Sequence, residues 1–162
     1  MTNLYNDIYN WFDILKKEGN YILGYVIMPN HLHLLLKLNE NCKSINRLIS
    51  EGKRFRAYAI VQRLKKLNLK EKLNVLAEGV SDVEKQKGSK HKIFTESFDC
   101  KECYTSEFIQ QKLKYMHNNP VKAGFVNNAE DFRHSSAKFY LSGEQGHYPV
   151  TNYLLYYDVP IA

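Results

Sequence analysis

The apolar stretch YILGYVIMPNHLHLLLKL, residues 21–38, constrains the fold of this chain more than any other segment. Its β-branched, aromatic and leucine side chains favour strands. The pair Pro29-Asn30 interrupts it with residue types that are common in tight turns. The pattern therefore predicts a β-hairpin. No uninterrupted apolar run reaches the roughly 20 residues of a membrane-spanning helix, so no membrane partner is expected.

Three further segments have apolar residues at helical spacing. The first covers residues 3–17, and the second covers residues 44–67, with Phe55 on its predicted apolar face. The third begins at Thr105 or the residue after it. It ends before Pro120, because the residue that precedes a proline is disfavoured in a helix. Together with the hairpin, these helices predict an α+β fold.

The remaining sequence predicts little regular structure. KIFTESF, residues 92–98, has the composition of a short strand, and the polar segment 68–92 predicts a mobile excursion. A chain of 162 residues is expected to form a single domain, residues 1–162. Its 3 cysteines and the lack of a signal-peptide pattern at the N-terminus favour a reducing cytoplasm over a disulfide framework.

The positive charge of the chain is concentrated in one segment. The formal net charge is +6. Residues 43–72 contain ten basic and two acidic residues, so they are +8 and the remainder is −2. A localised basic stripe is typical of proteins that bind a polyanion such as nucleic acid, although a solvated helix face has the same pattern.

The second predicted strand carries a His-x-His pair, His31 and His33. Since side chains alternate along a strand, both imidazoles point to one side, and Leu32, Leu34 and Leu36 point to the other, toward the presumed core. Two imidazoles on one face can bind a single divalent ion. Two unrelated histidines on a polar sheet face would produce the same pattern.

The third predicted helix places Tyr115 and Asn119 one turn apart, with Lys112 and Phe108 within about 60° of them. A tyrosine hydroxyl, whose ordinary pKa is about 10, is a weak nucleophile unless the group it attacks is polarised. Asn119 offers a carbonyl oxygen as a third metal ligand, and Lys112 could meet a phosphate. The alternative is a boundary tyrosine followed by a capping asparagine.

Other patterns do not reach the specificity of a site. Cys100 and Cys103 form a lone C-x-x-C, whereas a structural zinc site needs four ligands. The segment His134-Ser135-Ser136 lacks the Gly-x-Ser-x-Gly turn of serine hydrolases. Leu35 stands where a histidine-triad hydrolase would have its third histidine, which argues against that class.

Several segments together resemble the single-tyrosine HUH transposases, in particular the subgroup associated with repetitive extragenic palindromes. The similar segments are GYVIMPNHLHLLL (24–36), the helix with Lys53-Arg54, KIFTESFDCKECY (92–104), KLKYMHNNPVKAGFV (112–126) and RHSSAKFY (133–140). They span most of the chain in the order of the family, and the first and fourth are specific.

This resemblance implies the HUH nuclease fold, a ferredoxin-like antiparallel sheet with helices packed on one face. It implies that His31, His33 and Asn119 bind Mg²⁺ or Mn²⁺ and that Tyr115 is the catalytic nucleophile. Family members generally begin with a strand, whereas this sequence starts almost at its first helix. Either the sheet lacks that strand or the start of the sequence is misassigned.

The implied function is DNA transposition and recombination. A transposase of this kind is a metal-dependent endonuclease and strand transferase, which cuts and rejoins hairpin-flanked single-stranded DNA through a 5′-phosphotyrosine intermediate. We expect it to act in the cytoplasm at the nucleoid, as a monomer or homodimer. The residues expected to bind nucleic acid are Lys53, Arg54, Arg56, Arg63 and Lys112.

Three alternatives remain open at this point. A domesticated or truncated protein with the same fold could bind DNA without catalysis, and a metal-dependent phosphodiesterase could use water as its nucleophile. A plain RNA-binding module would not depend on metal. Phe55 and Tyr58 could either stack on unpaired bases or pack in the core.

Overall fold

The computed structural model describes residues 4–42, 44–94 and 98–156, which form a mixed α+β structure. Its helices and strands are α1 (Leu4–Lys17), β1 (Tyr21–Ile27), β2 (Leu32–Lys37), α2 (Ile45–Lys66), α3 (Lys70–Glu78), α4 (Asp82–Gln86), α5 (Ser106–His117), α6 (Asn119–Lys122) and α7 (Ala137–Ser142). The predicted hairpin and the three predicted helices are therefore confirmed, within the described residues. No helix in this part of the chain has both the length and the apolar character needed to cross a bilayer.

Contacts divide the chain, which was predicted to be a single domain, into two compact units. The first unit contains Met1–Trp11 and Cys42–Cys100, and the second contains Phe12–Asn41 and Lys101–Ala162. Helix α1 thus contributes residues to both units, α2 to α4 belong to the first, and the hairpin and α5 to α7 belong to the second.

The hairpin of the second unit is antiparallel, with Val26 opposite His33 and Tyr25 opposite Leu34. The other edge of β1 is paired as well. Ile27 donates a backbone hydrogen bond to His134 at 2.9 Å, and an isolated bridge joins Val26 to Ser135. Within the described residues, regular pairing is limited to two strands, so the ferredoxin-like sheet remains a prediction.

Both faces of the hairpin are covered, whereas the sequence predicted helices on one face. On the face of Val26, the buried residues Ile109, Leu113 and Met116 of α5 pack against the strand, with Leu35 at the margin. On the face of Tyr25, the Phe12 ring of α1 lies 5.5 Å from the Tyr25 ring. The strand β1 is buried from Ile22 to Ile27, so each of its faces needs an apolar cover.

The first unit is built around the contact between α1 and α2. Gly52 lies so close to Trp11 that a Cβ atom there would be 2.5 Å from the indole ring. Arg63 forms a two-pronged ion pair with Asp7, through one hydrogen bond of 2.8 Å and a second, shorter one. This face of α2 is therefore attached to the first turns of α1.

The prediction of an irregular excursion at residues 68–92 is wrong, because most of the segment is helical. Leu73 and Leu76 of α3 are half-buried and Val80 is buried, a spacing close to that of a helical turn. Ser81 caps α4 by accepting a hydrogen bond from the Glu84 backbone, and the Glu84 carboxylate accepts one from Ser81 in return.

The strand predicted at residues 92–98 is not found. Residues 92–94 and 98 are outside any strand, and residues 95–97 lie outside the described part of the chain. The backbone N–H of Lys92 donates to Leu76 at 2.8 Å, and its ammonium group lies 3.1 Å from the Glu84 carboxylate. These bonds attach the start of the segment to helices α3 and α4, where it has no neighbouring strand.

Candidate functional site

The two histidines of the hairpin lie side by side at the start of β2. Their ring centroids are 4.9 Å apart, with the ring planes nearly perpendicular, as the alternation along the strand predicts. The Asn30 side-chain oxygen accepts a hydrogen bond of 2.7 Å from His31 Nδ1, which leaves the lone pair of His31 Nε2 for another partner. Burial lowers the pKa of His33, and the nearby His31 lowers it further. The neutral imidazole, the form that binds a metal ion, is therefore favoured at His33.

Helix α5 brings Tyr115 into contact with this histidine pair. The Tyr115 ring centroid lies 5.8 Å from that of His33, in an edge-to-face arrangement. The tyrosine side chain is 53% exposed, so a large substrate can reach it. The ammonium group of Lys122 lies 5.5 Å from the centre of the Tyr115 ring, whereas that of Lys112 lies over the Phe108 ring at 4.8 Å. Lys122 is thus the cation beside this tyrosine.

Gly24 allows α5 to approach the strand closely enough for this contact. A Cβ atom at residue 24 would lie 2.6 Å from a methyl group of Leu113 and 3.7 Å from the Cβ of Leu35. Any larger residue would push the helix or the leucine side chain away. The absence of a side chain at residue 24 therefore leaves room for Leu113 of α5 against β1.

Asn119 is the first residue of α6, directly after the break that follows α5. Its side-chain Nδ2 is buried and has no hydrogen-bond partner among the described residues. The amide oxygen of Asn119 is a ligand type that a divalent ion can use. The amide of Asn119 and the two imidazoles are ligand types that suit a divalent ion.

No group of three or more His, Cys, Asp or Glu side chains that could together hold a metal ion is found among residues 4–42, 44–94 and 98–156. Within the described residues, a cation at His31 and His33 would therefore take its third protein ligand from another residue type. The amide oxygen of Asn119 is of that kind.

A buried polar network lies behind the tyrosine helix. His117 and Ser136 are both buried, and the His117 Nε2 lies 2.9 Å from the Ser136 hydroxyl. That hydroxyl also accepts from the Tyr25 N–H at 2.9 Å and donates to the Tyr25 carbonyl at 3.2 Å. Burial lowers the pKa of His117 to about 4, so its ring is neutral. The network connects the last turn of α5 to β1.

Two of the predicted nucleic-acid-binding arginines face the interior of the first unit. The Arg56 guanidinium lies 4.5 Å from the Trp11 ring and 5.6 Å from the Phe94 ring, and its buried Nε has no hydrogen-bond partner in the described residues. Arg63 is bonded to Asp7. These two side chains stabilise the packing of α1 on α2.

The other predicted contacts differ in exposure. Arg54 is exposed on α2, with its guanidinium 5.5 Å from the Phe55 ring. Lys53 is half-buried, and its ammonium group lies 5.9 Å from the Phe98 ring. Lys112 belongs to the second unit. It is half-buried, and its ammonium group lies over the Phe108 ring.

The sequence did not assign Lys122, His117 or Ser136 to this region, and Ser136 was considered only as part of a serine-hydrolase pattern. Lys122 follows Tyr115 across a helix break, so helical periodicity does not connect them. His117 and Ser136 are 19 residues apart and belong to different elements. Only the clustering of polar residues in HNNPVK and RHSS could have indicated them, and such clusters are usual at helix ends.

Comparison of the chain with protein-family models, curated proteins and solved structures gave no match.

Proposed function

We propose that this protein is a metal-dependent single-tyrosine DNA transposase that cuts and rejoins hairpin-flanked single-stranded DNA. One observation above all supports the proposal: the aromatic ring of Tyr115 lies 5.8 Å from the ring of His33. A potential nucleophile and a potential metal ligand come from separate elements and meet at an exposed position. A tyrosine that only filled the edge of the core would not need a histidine pair beside it.

The reaction exchanges one phosphate ester for another. The phenolic oxygen of Tyr115 attacks the phosphorus of a DNA phosphodiester, and the bond from phosphorus to the 3′ oxygen breaks. The phenolic proton passes to solvent, and the leaving oxygen takes up a proton. The products are a 5′-phosphotyrosine and a free 3′-hydroxyl. Attack by another 3′-hydroxyl reverses these steps and joins two strands, so no nucleotide triphosphate is consumed.

His31, His33 and Asn119 would hold Mg²⁺ or Mn²⁺ beside the tyrosine. A divalent ion bound there supplies Lewis-acid polarisation of the scissile phosphate. The neutral state of His33 and the adjacent rings of His31 and His33 support the two imidazole ligands of this set. The Lys122 ammonium, 5.5 Å from the Tyr115 ring, can neutralise negative charge on the phenolate and the phosphate. We infer action at the nucleoid in the cytoplasm, as a monomer or homodimer.

The test uses hairpin-containing single strands from the flanks of the gene, with Mg²⁺ or Mn²⁺, on a denaturing protein gel. The strands are labelled at the 3′ end, because the 5′-phosphate of the downstream fragment is the part that stays on the tyrosine. We expect a metal-dependent labelled protein band with wild type and none with Tyr115→Phe. Tyr104→Phe is the matched control, since Tyr104 is 77% exposed and lies outside the site. A 5′ label should be released and not retained.

The outcomes separate the alternatives. Cleavage that persists in Tyr115→Phe without a protein adduct would indicate water as the nucleophile. Binding without cleavage of any flanking hairpin would indicate a DNA-binding protein with no catalysis. Manganese binding, followed by its electron paramagnetic resonance signal, tests the ligand set separately. We expect the double variant His31→Gln with His33→Gln to lose manganese binding and Tyr115→Phe to retain it.

A further inference from the structure

The outer face of α2 carries two aromatic rings that do not belong to any core. The side chain of Phe55 is 60% exposed and that of Tyr58 is 70% exposed. Phe55 therefore does not join the apolar face predicted for this helix. The two residues are one turn apart, about 4.5 Å along the helix axis and about 60° around it. The two side chains are therefore neighbours on one face of the helix.

Cations accompany these rings on the same face. Arg54, Lys65 and Lys66 are exposed, and helical geometry places them with the two aromatic residues within about 120° of the circumference. The Arg54 guanidinium lies 5.5 Å from the Phe55 ring. Glu51 shares this face, and its carboxylate is bonded to Arg47 at 2.9 Å. The exposed surface formed by the aromatic residues and cations of this face is thus aromatic and positively charged.

The inner face of the same helix is occupied by protein contacts. Gly52 lies against the Trp11 ring, Arg56 stacks on the same ring, and Arg63 is bonded to Asp7. These contacts fix the rotation of α2 relative to the first turns of α1. The helix therefore presents its aromatic and cationic residues outward as a consequence of its packing.

We propose that Phe55 and Tyr58 form a stacking platform for unpaired bases of single-stranded DNA. Arg54, Lys65 and Lys66 would contact the phosphates on either side. Rings stack on any base and cations meet any phosphate, so such a surface binds single strands with little sequence preference. The positive charge favours a polyanion over an apolar protein partner. This inference rests on the proposed function and adds where the unpaired part of the substrate binds.

The test measures fluorescence anisotropy of a fluorescein-labelled oligothymidine strand, which has no hairpin and needs no known target sequence. The double variant Phe55→Leu with Tyr58→Leu keeps apolar side chains and removes the rings. We expect its affinity to be weaker by about 10-fold or more, because each base–ring stack contributes substantially. Phe55→Tyr with Tyr58→Phe should keep wild-type affinity. So should Val75→Ala, a change at an exposed apolar residue of α3.

Several results would overturn the proposal. They are no binding of oligothymidine by wild type, an unchanged affinity in the double leucine variant, or an equal loss of affinity for a duplex of the same length. A change from dimer to monomer in the leucine variant, measured by light scattering, would instead identify this face as a contact between two copies. Circular dichroism confirms that each variant is folded.

Failure of this inference and failure of the proposed function are distinguishable. Tyr104→Phe should bind oligothymidine as wild type does, because the exposed Tyr104 lies outside both the proposed site and the platform. If the platform variants lose binding and no tyrosine adduct forms with any hairpin, the platform is supported and the nuclease is not. If the adduct forms while the leucine variant binds normally, the nuclease is supported and the platform is not.

Discussion

The chemistry proposed here depends on how individual imidazoles are buried. His33 faces Tyr115 and is held toward its neutral form, and His117 is neutral because burial lowers its pKa to about 4. Only the first can reach a substrate, since His117 is enclosed behind α5 with Ser136. The same side chain therefore has a proposed site role at one position and a packing role at the other.

His134 gives a prediction about stability at acidic pH. Burial lowers its pKa to about 4, and His147 and Arg133, which lie beside it, act in the same direction. Below the ordinary histidine pKa of 6.5, the unfolded chain binds a proton that the folded chain does not. Stability should therefore fall as pH falls from about 6.5 to about 4.

We expect His134→Gln to flatten this fall, by less than about 1.4 kcal/mol per pH unit because the group is partly solvated. Urea unfolding at several pH values measures it. Arg133→Gln, which removes one positive neighbour, should flatten the fall in part. His117 contributes a fall of its own and should leave a residual slope in both variants. An unchanged slope in His134→Gln would contradict the assignment.

Single glycines decide how closely the elements approach one another. Gly24 admits Leu113 of α5 to the hairpin, and Gly52 admits the Trp11 ring to α2. In both cases the nearest atoms leave no space for a Cβ. The tyrosine helix and the basic helix are thus each positioned by a residue that is poor for regular structure in isolation.

Gly52→Ala should destabilise the protein, although alanine is normally better than glycine in a helix by about 1 kcal/mol. A Cβ there would lie 2.5–2.9 Å from three atoms of the Trp11 indole, a rigid ring that cannot give way cheaply. We expect a loss of about 1–3 kcal/mol in the free energy of unfolding, measured with urea.

Gly79→Ala is the matched control for this change. Gly79 has helical backbone angles, and its added Cβ would meet its nearest neighbours at 3.7 Å, an ordinary contact. The free energy of unfolding of the Gly79→Ala variant should be unchanged or slightly higher than that of wild type. Equal effects of the two substitutions would show that the Trp11 contact does not limit residue 52.

At the scale of the whole molecule, the basic helix and the candidate site belong to different units. The first unit carries the basic helix α2, and the second carries His31, His33, Tyr115 and Asn119. Some of the cations of α2 are used in internal contacts, so the charge available to a polyanion is smaller than the net charge of +8 over residues 43–72 suggests. The exposed cations of α2 remain available to bind a polyanion.

This distribution predicts the salt dependence of single-strand binding. Each phosphate neutralised in a single strand contributes about 0.7 to the slope of log affinity against log salt. Replacing Arg54, Lys65 and Lys66 by glutamine should lower that slope by about 2. Replacing Lys85 and Lys138, which are paired with carboxylates, should leave it unchanged. Oligothymidine binding over a series of salt concentrations measures both.

The fold was predictable where its signals are local. The hairpin and the three long helices follow from strand alternation and helical periodicity, and Thr105 caps α5 as the sequence predicts. The segment 68–92 was misinterpreted because its helices are short and their apolar residues are interspersed with charges. The sequence did not predict that both faces of the hairpin are covered, because a strand pattern does not show which element packs on it.

The sequence by itself determined the hairpin, the three long helices and the candidate chemical groups, because alternation and periodicity act between near neighbours in the chain. Only the tertiary structure decided which groups meet. It placed the Tyr115 ring against His33, put Lys122 and not Lys112 beside the tyrosine, and joined His117 to Ser136. It also turned Arg56 inward and left Phe55 exposed. These contacts join residues of different elements, and packing between elements selects them.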